Sequence, residues 1–258
     1  MLNRHGNEFM KILKHLKPSK HTYEVFSDWL VMAAATLYSW KKDERVESEY
    51  MEIAKQYTNE ELEKHAQLIA ITVNALEEKE QDFLGEVFTF AELTNSRTGQ
   101  FFTPYCVSYM SAQMIIGENE FPKNRVCRIN DPTCGSGGML VAGIQVMKER
   151  GFNFQNDALF IGQDIDSRCA RMAYIQLSLL GVPAVIYCMN TLTLQTFWYR
   201  ETIGYHISGM DFRLRAEDLI DKTKNIIRED IEIEPEPEQK QIEIKLSPSL
   251  NYVQGELF

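Results

Sequence analysis

From Tyr23 onward the apolar residues Phe26, Leu30, Ala34, Leu37 and Tyr38 recur every three or four positions, which lays one apolar stripe along a helix. The apolar run from Trp29 to Trp40 stops at Lys41 and Lys42. It is shorter than the roughly 20 residues a membrane span needs and predicts a buried core helix. Thr58 followed by Glu61 is a capping-box signature, since each side chain can satisfy a free amide of a first turn, and predicts a helix running to about Glu80. Residues 1–94 therefore read as a helical lobe.

The pattern changes at Asn95, Ser96, Thr98 and Gly99, a polar connection into Gly99-Gln100-Phe101-Phe102-Thr103-Pro104. Thr103 then Pro104 suits a helix start, because proline lacks an amide that would go unpaired there. The helix that follows is expected from Tyr105 to about Ile116. Three β-type runs come next, Arg125–Asn130, Ala158–Gln163 and Ala184–Met189, separated by helical stretches at Met139–Glu149 and Arg168–Leu180. Strands alternating with helices of this length predict an α/β fold, a parallel sheet with crossover helices. Beyond about Glu229, acidic residues and prolines predict a mobile tail, although the alternating Ile231, Ile233, Ile242 and Ile244 equally allow a short hairpin. The expected organisation is a helical lobe over 1–94, an α/β domain over 95–228 and an acidic tail over 229–258.

Composition narrows the classes. Hydrophobic and charged contents of 44% and 25% are those of a globular chain. The five cysteines form no C-x-x-C or Cys/His cluster, so no metal site is expected. No secretory leader pattern opens the sequence, which points to a cytoplasmic protein with no membrane partner. The net charge of −10 is uneven: the tail carries eight acidic residues against two basic ones, whereas the start has Arg4, Lys11, Lys14, Lys17 and Lys20 against Glu8. Such a basic arm can contact phosphates or can be a solvated helix face.

The densest chemistry is Asp131-Pro132-Thr133-Cys134-Gly135-Ser136-Gly137-Gly138, between the first β-run and the next helix. Glycines there let the backbone turn tightly and approach a ligand, and the helix start offers free amides to a negative group. The end of the second β-run, Gly162-Gln163-Asp164, supplies an acid suited to a ribose diol. Asp164 lies 33 residues beyond Asp131, further than the roughly 20 of a dinucleotide fingerprint, and Leu140 stands where that fingerprint has its third glycine. Both departures argue against a nicotinamide enzyme.

Asp131–Gly138 closely resembles the S-adenosylmethionine (SAM) motif of adenine-N6 DNA methyltransferases, especially the modification subunits of type I restriction systems, and Gly99–Pro104 resembles the motif those enzymes carry upstream. Gly162–Asp164 is similar to the family's acidic ribose site, and Met189-Asn190-Thr191-Leu192 to the segment near the SAM adenine. The resemblance spans about Asp82–Leu194. It implies an abbreviated Rossmann-like methyltransferase sheet of three to four parallel strands. Gln100, Phe101, Phe102, Thr103 and Pro104 would then hold the methionine end, and Asp131, Thr133, Cys134, Gly135 and Gly137 would approach its amino and carboxylate groups. Asp164 would take the ribose and Asn190 would lie near the adenine. It also implies DNA as a partner, with a partner methyltransferase or specificity subunit.

One family element is missing. Members that transfer the methyl carry Asn-Pro-Pro-Phe or Asp-Pro-Pro-Tyr after the fourth strand, whereas residues 184–234 contain no proline. In its place stand Phe197-Trp198-Tyr199-Arg200, Tyr205-His206 and Phe212-Arg213-Leu214-Arg215. These fit either a surface that stacks bases and holds phosphates or the hydrophobic closure of a shortened sheet. The catalytic residues are thus unassigned. The readings left open are an adenine-N6 DNA methyltransferase-like protein active with a substitute pocket or with a partner subunit, a non-catalytic SAM- or DNA-binding module, and a methyltransferase for another acceptor. Gln254, Leu257 and Phe258 resemble the short peptide that docks on the bacterial sliding clamp.

Overall fold

A computed structural model describes residues 2–93, 102–116, 121–122 and 125–230. Gln100, Phe101, the alternating isoleucines and the Gln254–Phe258 peptide lie outside the described residues. The chain divides into two compact units, 1–217 and 218–258, and the described part of the second is helix.

Five helices open the chain: α1 (Arg4–Leu16), α2 (Thr22–Tyr38), α3 (Glu44–Ala54), α4 (Asn59–Glu78) and α5 (Phe83–Leu93), with a short 3-10 turn at Ser39–Lys41. The expected capping box starts α4: Thr58 Oγ1 accepts from Glu61 N, and the Glu61 carboxylate accepts from Thr58 N at 2.8 Å. A second box, made by His21 and Glu24, starts α2. The apolar stripe of α2 packs into an aromatic cluster in which Phe9 meets Trp29 edge-on at 5.0 Å and Phe83 at 5.9 Å.

After α6 (Tyr105–Ile116), the chain alternates through β1 (Cys127–Asp131), α7 (Gly138–Glu149), the single turn α8 (Phe154–Asp157), β2 (Ala158–Asp164), α9 (Ser167–Leu179) and β3 (Ala184–Asn190). Next come β4 (Gln195–Glu201), α10 (Ile203–Ile207) and α11 (Met210–Asp230). The sheet order is β1-β2-β3-β4, and the β1–β2 and β2–β3 pairs are parallel, with Asp131 opposite Gly162 and Asp164 opposite Cys188. Three parallel strands match the expectation. The fourth departs from it, because β4 is antiparallel to β3 and joined to it by a register shift at Cys188/Met189. A four-residue connection allows only a direct return alongside β3, whereas a parallel neighbour needs a crossover of a dozen or more residues. Among the described residues β1 is therefore an edge strand.

One buried apolar cluster runs from Phe9 and Trp29 through α5, α7 and α9 to Phe160 and Ile186 of the sheet, so the N-terminal helices and the sheet share a core. A smaller cluster on the other sheet face joins Val126, Leu159 and Val185 to Tyr205 and Met210. The aromatic-basic segment divides by strand alternation. Trp198 donates to Ser167 Oγ at 3.0 Å, and the buried Arg200 pairs with Glu49 at 3.2 Å, so these two close the sheet. Phe197 and Tyr199 are exposed. His206 bonds Glu201 at 2.8 Å and packs on Trp40. The basic arm is partly internal: Lys20 pairs with Asp28 at 2.6 Å, and Lys17 pairs with Glu61 at 3.5 Å and lies over the Tyr57 ring. Lys11 and Lys14 remain exposed. No described helix is long and apolar enough to cross a membrane, and none of the five cysteines is disulfide-bonded.

Candidate cofactor site

β1 delivers Asp131 to the C-terminal end of the sheet, where the chain turns through 132–137 into α7. The Asp131 carboxylate accepts from Thr133 N at 3.0 Å, which starts the turn. Gly135 and Gly137 have φ of +55° and +93°, a region in which a side chain is strained. Cys134 N donates to Gln163 O at 2.8 Å and ties the loop to the end of β2. Gly137 then caps α7 with no side-chain bond among the described residues, and Gly138 and Met139 of the first turn line the cavity at this end of the helix.

Asp164, the last residue of β2, is joined to the same loop. One carboxylate oxygen accepts from Gly135 N at 2.9 Å and the other from Asp166 N at 2.8 Å. Each oxygen keeps a further lone pair, so the carboxylate can still accept from a diol. Phe102 closes the opposite side. Its ring meets Phe88 edge-on at 5.5 Å and lies so near Gly135 that a Cβ there would sit 3.1 Å from Cε1. Core packing and loop contact are thus both functions of this one ring. Pro104 precedes α6, and its carbonyl accepts from Val107 N and Ser108 N.

A cavity of about 220 Å³ results. Phe102 and Thr103 line it with Asp131, Thr133, Cys134, Gly135 and Asp164. A neighbouring cavity of about 540 Å³ shares Asp82, Phe102 and Thr103 with it and adds Pro104. Gly137 shapes the loop from behind, and Asn190 lines neither cavity: its side-chain oxygen accepts from Leu192 N and Thr193 N in the turn after β3. The neighbouring Thr191 hydroxyl donates to Pro132 O at 2.8 Å, so that turn does border the loop.

Among the described residues no basic side chain lines the smaller cavity. Burial pushes the Asp131 and Asp164 carboxyls up from their ordinary range, and backbone hydrogen bonds oppose that push. Burial also raises the Cys134 thiol well above its usual value, so it is neutral and acts as packing. Two carboxylates beside a helix start suit a ligand that combines a diol, a cationic amino group and a carboxylate. SAM has all three, and the loop glycines leave room for its approach.

Sequence reasoning missed the group that holds this loop. Asp82 is buried at the start of α5, and its carboxylate accepts from Ser136 Oγ at 2.5 Å, Gln176 Nε2 at 2.9 Å and Gly85 N at 3.1 Å. An aspartate just before an apolar helix signals a cap, and nothing in the sequence pairs it with residues 136 and 176.

The family model for N-6 DNA Methylase matches residues 79–240. Among solved structures, a Listeria monocytogenes protein described as a class I S-adenosylmethionine-dependent methyltransferase is similar at 17% identity and TM-score 0.40, over 70% of this chain and 52% of that one. The type I restriction-modification methyltransferase subunit from Streptococcus thermophilus is similar at 15% identity and TM-score 0.36, over 70% and 55%. The chain spans about half the length of either structure. No curated protein matches it.

Proposed function

Because the chain belongs to the N-6 DNA methylase family, we propose that it is a SAM-dependent DNA adenine-N6 methyltransferase whose acceptor half is completed by a partner polypeptide. The observation that carries the cofactor assignment is the bond from Gly135 N to Asp164, which fuses the glycine loop and the acid into one wall of a cavity closed by Phe102 and Thr103. In this reading Asp164 accepts from the ribose hydroxyls and Asp131 faces the amino group. The α7 amides with Thr103 meet the carboxylate. When bound, SAM supplies an electrophilic methyl group. The chain's own residues hold it and exclude water around it.

The acceptor side motivates the partner. An adenine amino group attacks well only when acceptors for its two hydrogens direct its lone pair, and residues 184–234 lack the proline-containing motif that does this in relatives. A doubly wound sheet binds its ligand where the strand order reverses. Among the described residues the glycine loop leaves an edge strand, and in this proposal a strand added beside β1 by the partner completes that crevice at the cofactor. In the proposed organisation residues 1–94 support the site, 95–228 hold the cofactor and 229–258 form an accessory tail.

The missing motif also favours a second reading, a SAM-binding module without transfer activity. Incubation with methyl-labelled SAM and DNA of mixed sequence, with and without proteins co-purified from the source cells, separates the two. Label in N6-methyladenine supports the enzyme. Bound SAM with no label in DNA under either condition supports the module.

A further inference from the structure

Asp82 is buried, carries an ionisable group and is unused by the cofactor assignment above. Its neighbourhood is arranged around that carboxylate. One oxygen receives Gly85 N, as a cap of the first turn of α5, and also Gln176 Nε2 from α9. The other receives the Ser136 hydroxyl from the glycine loop. Gln176, itself fully buried, spends its remaining capacity on the same junction: Nε2 also donates to Ser136 O at 2.8 Å, and Oε1 accepts from Leu84 N at 3.1 Å. Two glycines make room. A Cβ on Gly138 would lie 2.8 Å from the Asp82 carboxylate, and one on Gly85 would overlap both that carboxylate and Ser136 Oγ.

A helix cap needs one acceptor oxygen, and here the second is committed to the loop. Stability alone does not call for a carboxylate at this place, since burying one is costly and an all-apolar set at positions 82, 136 and 176 would serve a core at least as well. Ser136 lies between Gly135, whose amide meets Asp164, and Gly137, which caps α7. Asp82 holds Ser136 within the cavity wall, and fixing Ser136 therefore fixes the direction of both neighbouring amides. We infer that Asp82 is a positioning residue for the cofactor loop, setting through Ser136 the backbone conformation that frames the cavity. The inference rests on the SAM reading of that cavity and gives the helical segment before residue 94 a part in the site.

The test is calorimetric titration of SAM into the full chain, at a temperature below the unfolding transition of every variant. Ser136→Ala removes only the loop end of the bond and is expected to weaken SAM by roughly tenfold, the scale of one lost buried hydrogen bond. Asp82→Ala is expected to weaken it at least as much, and the double variant no more than Asp82→Ala alone, because the two residues act as a unit. Asp82→Asn retains an acceptor for Gly85 and Gln176 and can donate to Ser136 Oγ. It is expected to restore affinity to within about threefold, a rescue that hydrogen-bonded positioning predicts. Wild-type affinity in Ser136→Ala overturns the inference and, should Asp82→Ala not fold, does so alone. Failure of the unaltered chain to bind SAM is a different result, which removes the cofactor reading itself.

Discussion

Replacing Gly85 with alanine reverses the usual sign of a helix substitution. Alanine in a helix is worth up to about 1 kcal/mol over glycine. At Gly85 the new Cβ falls on Asp82 Oδ2 and Ser136 Oγ and lies 2.6 Å from Asp82 Cγ. Neither side chain can swing away cheaply, because Asp82 is held by three donors, the Ser136 hydroxyl is bonded to Asp82, and the Ser136 backbone is fixed by Gln176. Breaking the Asp82–Ser136 bond inside the core costs about 1–3 kcal/mol, and overpacking adds about 1–3 kcal/mol. Set against a helix gain of about 1 kcal/mol, the net expectation is a loss of about 1–5 kcal/mol. Gly143→Ala in α7 is the matched control. Its Cβ meets only Ile116 Cδ1 at 3.4 Å and Phe160 at 3.9 Å, so it should be neutral or stabilising. Urea unfolding followed by circular dichroism compares the two variants with the parent. A Gly85→Ala protein as stable as the parent would refute the account of this junction.

Two further predictions follow from particular side chains. Burial lowers the His65 imidazole from 6.5 to about 4, and among the described residues neither ring nitrogen has a partner, so it folds neutral. The unfolded chain takes up its proton first; stability should fall as pH drops from about 6.5 to about 4 and level off below, by at most about 3 kcal/mol. The raised carboxyls of Asp82, Asp131 and Asp164 act in the opposite sense. The term is therefore read as the difference in urea midpoint between the parent and His65→Phe across that window, and a constant difference contradicts it. Replacing Lys11 and Lys14 with glutamine should flatten the salt dependence of DNA affinity by about 0.9 in log–log slope per lost phosphate contact. An unchanged slope assigns that arm to a solvated helix face.

The order of strands and helices was legible because local patterns set it: apolar β-runs at 125–130, 158–163 and 184–189 became β1 to β3 with ends moved by a residue or two. Antiparallel β4 was not legible. Gln195–Glu201 alternates toward two environments, and only its pairing with β3 distinguishes Trp198 and Arg200 inside from Phe197 and Tyr199 outside. Which lysines of the basic arm pair internally was not legible either, because Lys20 meets Asp28 on α2 and the Gln56 side chain, and Lys17 meets Glu61, pairings that only the helix packing sets. At the site, the glycine loop and Asp164 were visible as contiguous motifs. The Asp82–Ser136–Gln176 junction was not, because its three members come from segments whose proximity is set only by the packing of α5 and α9 on the sheet.

Isothermal titration of SAM into the unaltered chain and into Asp164→Ala tests the central claim most directly. The account predicts one site per chain, weakened in Asp164→Ala by roughly 1–3 kcal/mol through loss of a charge-assisted acceptor and of the bond that holds Gly135. No heat of binding from the unaltered chain, or equal affinity in the two proteins, would contradict it.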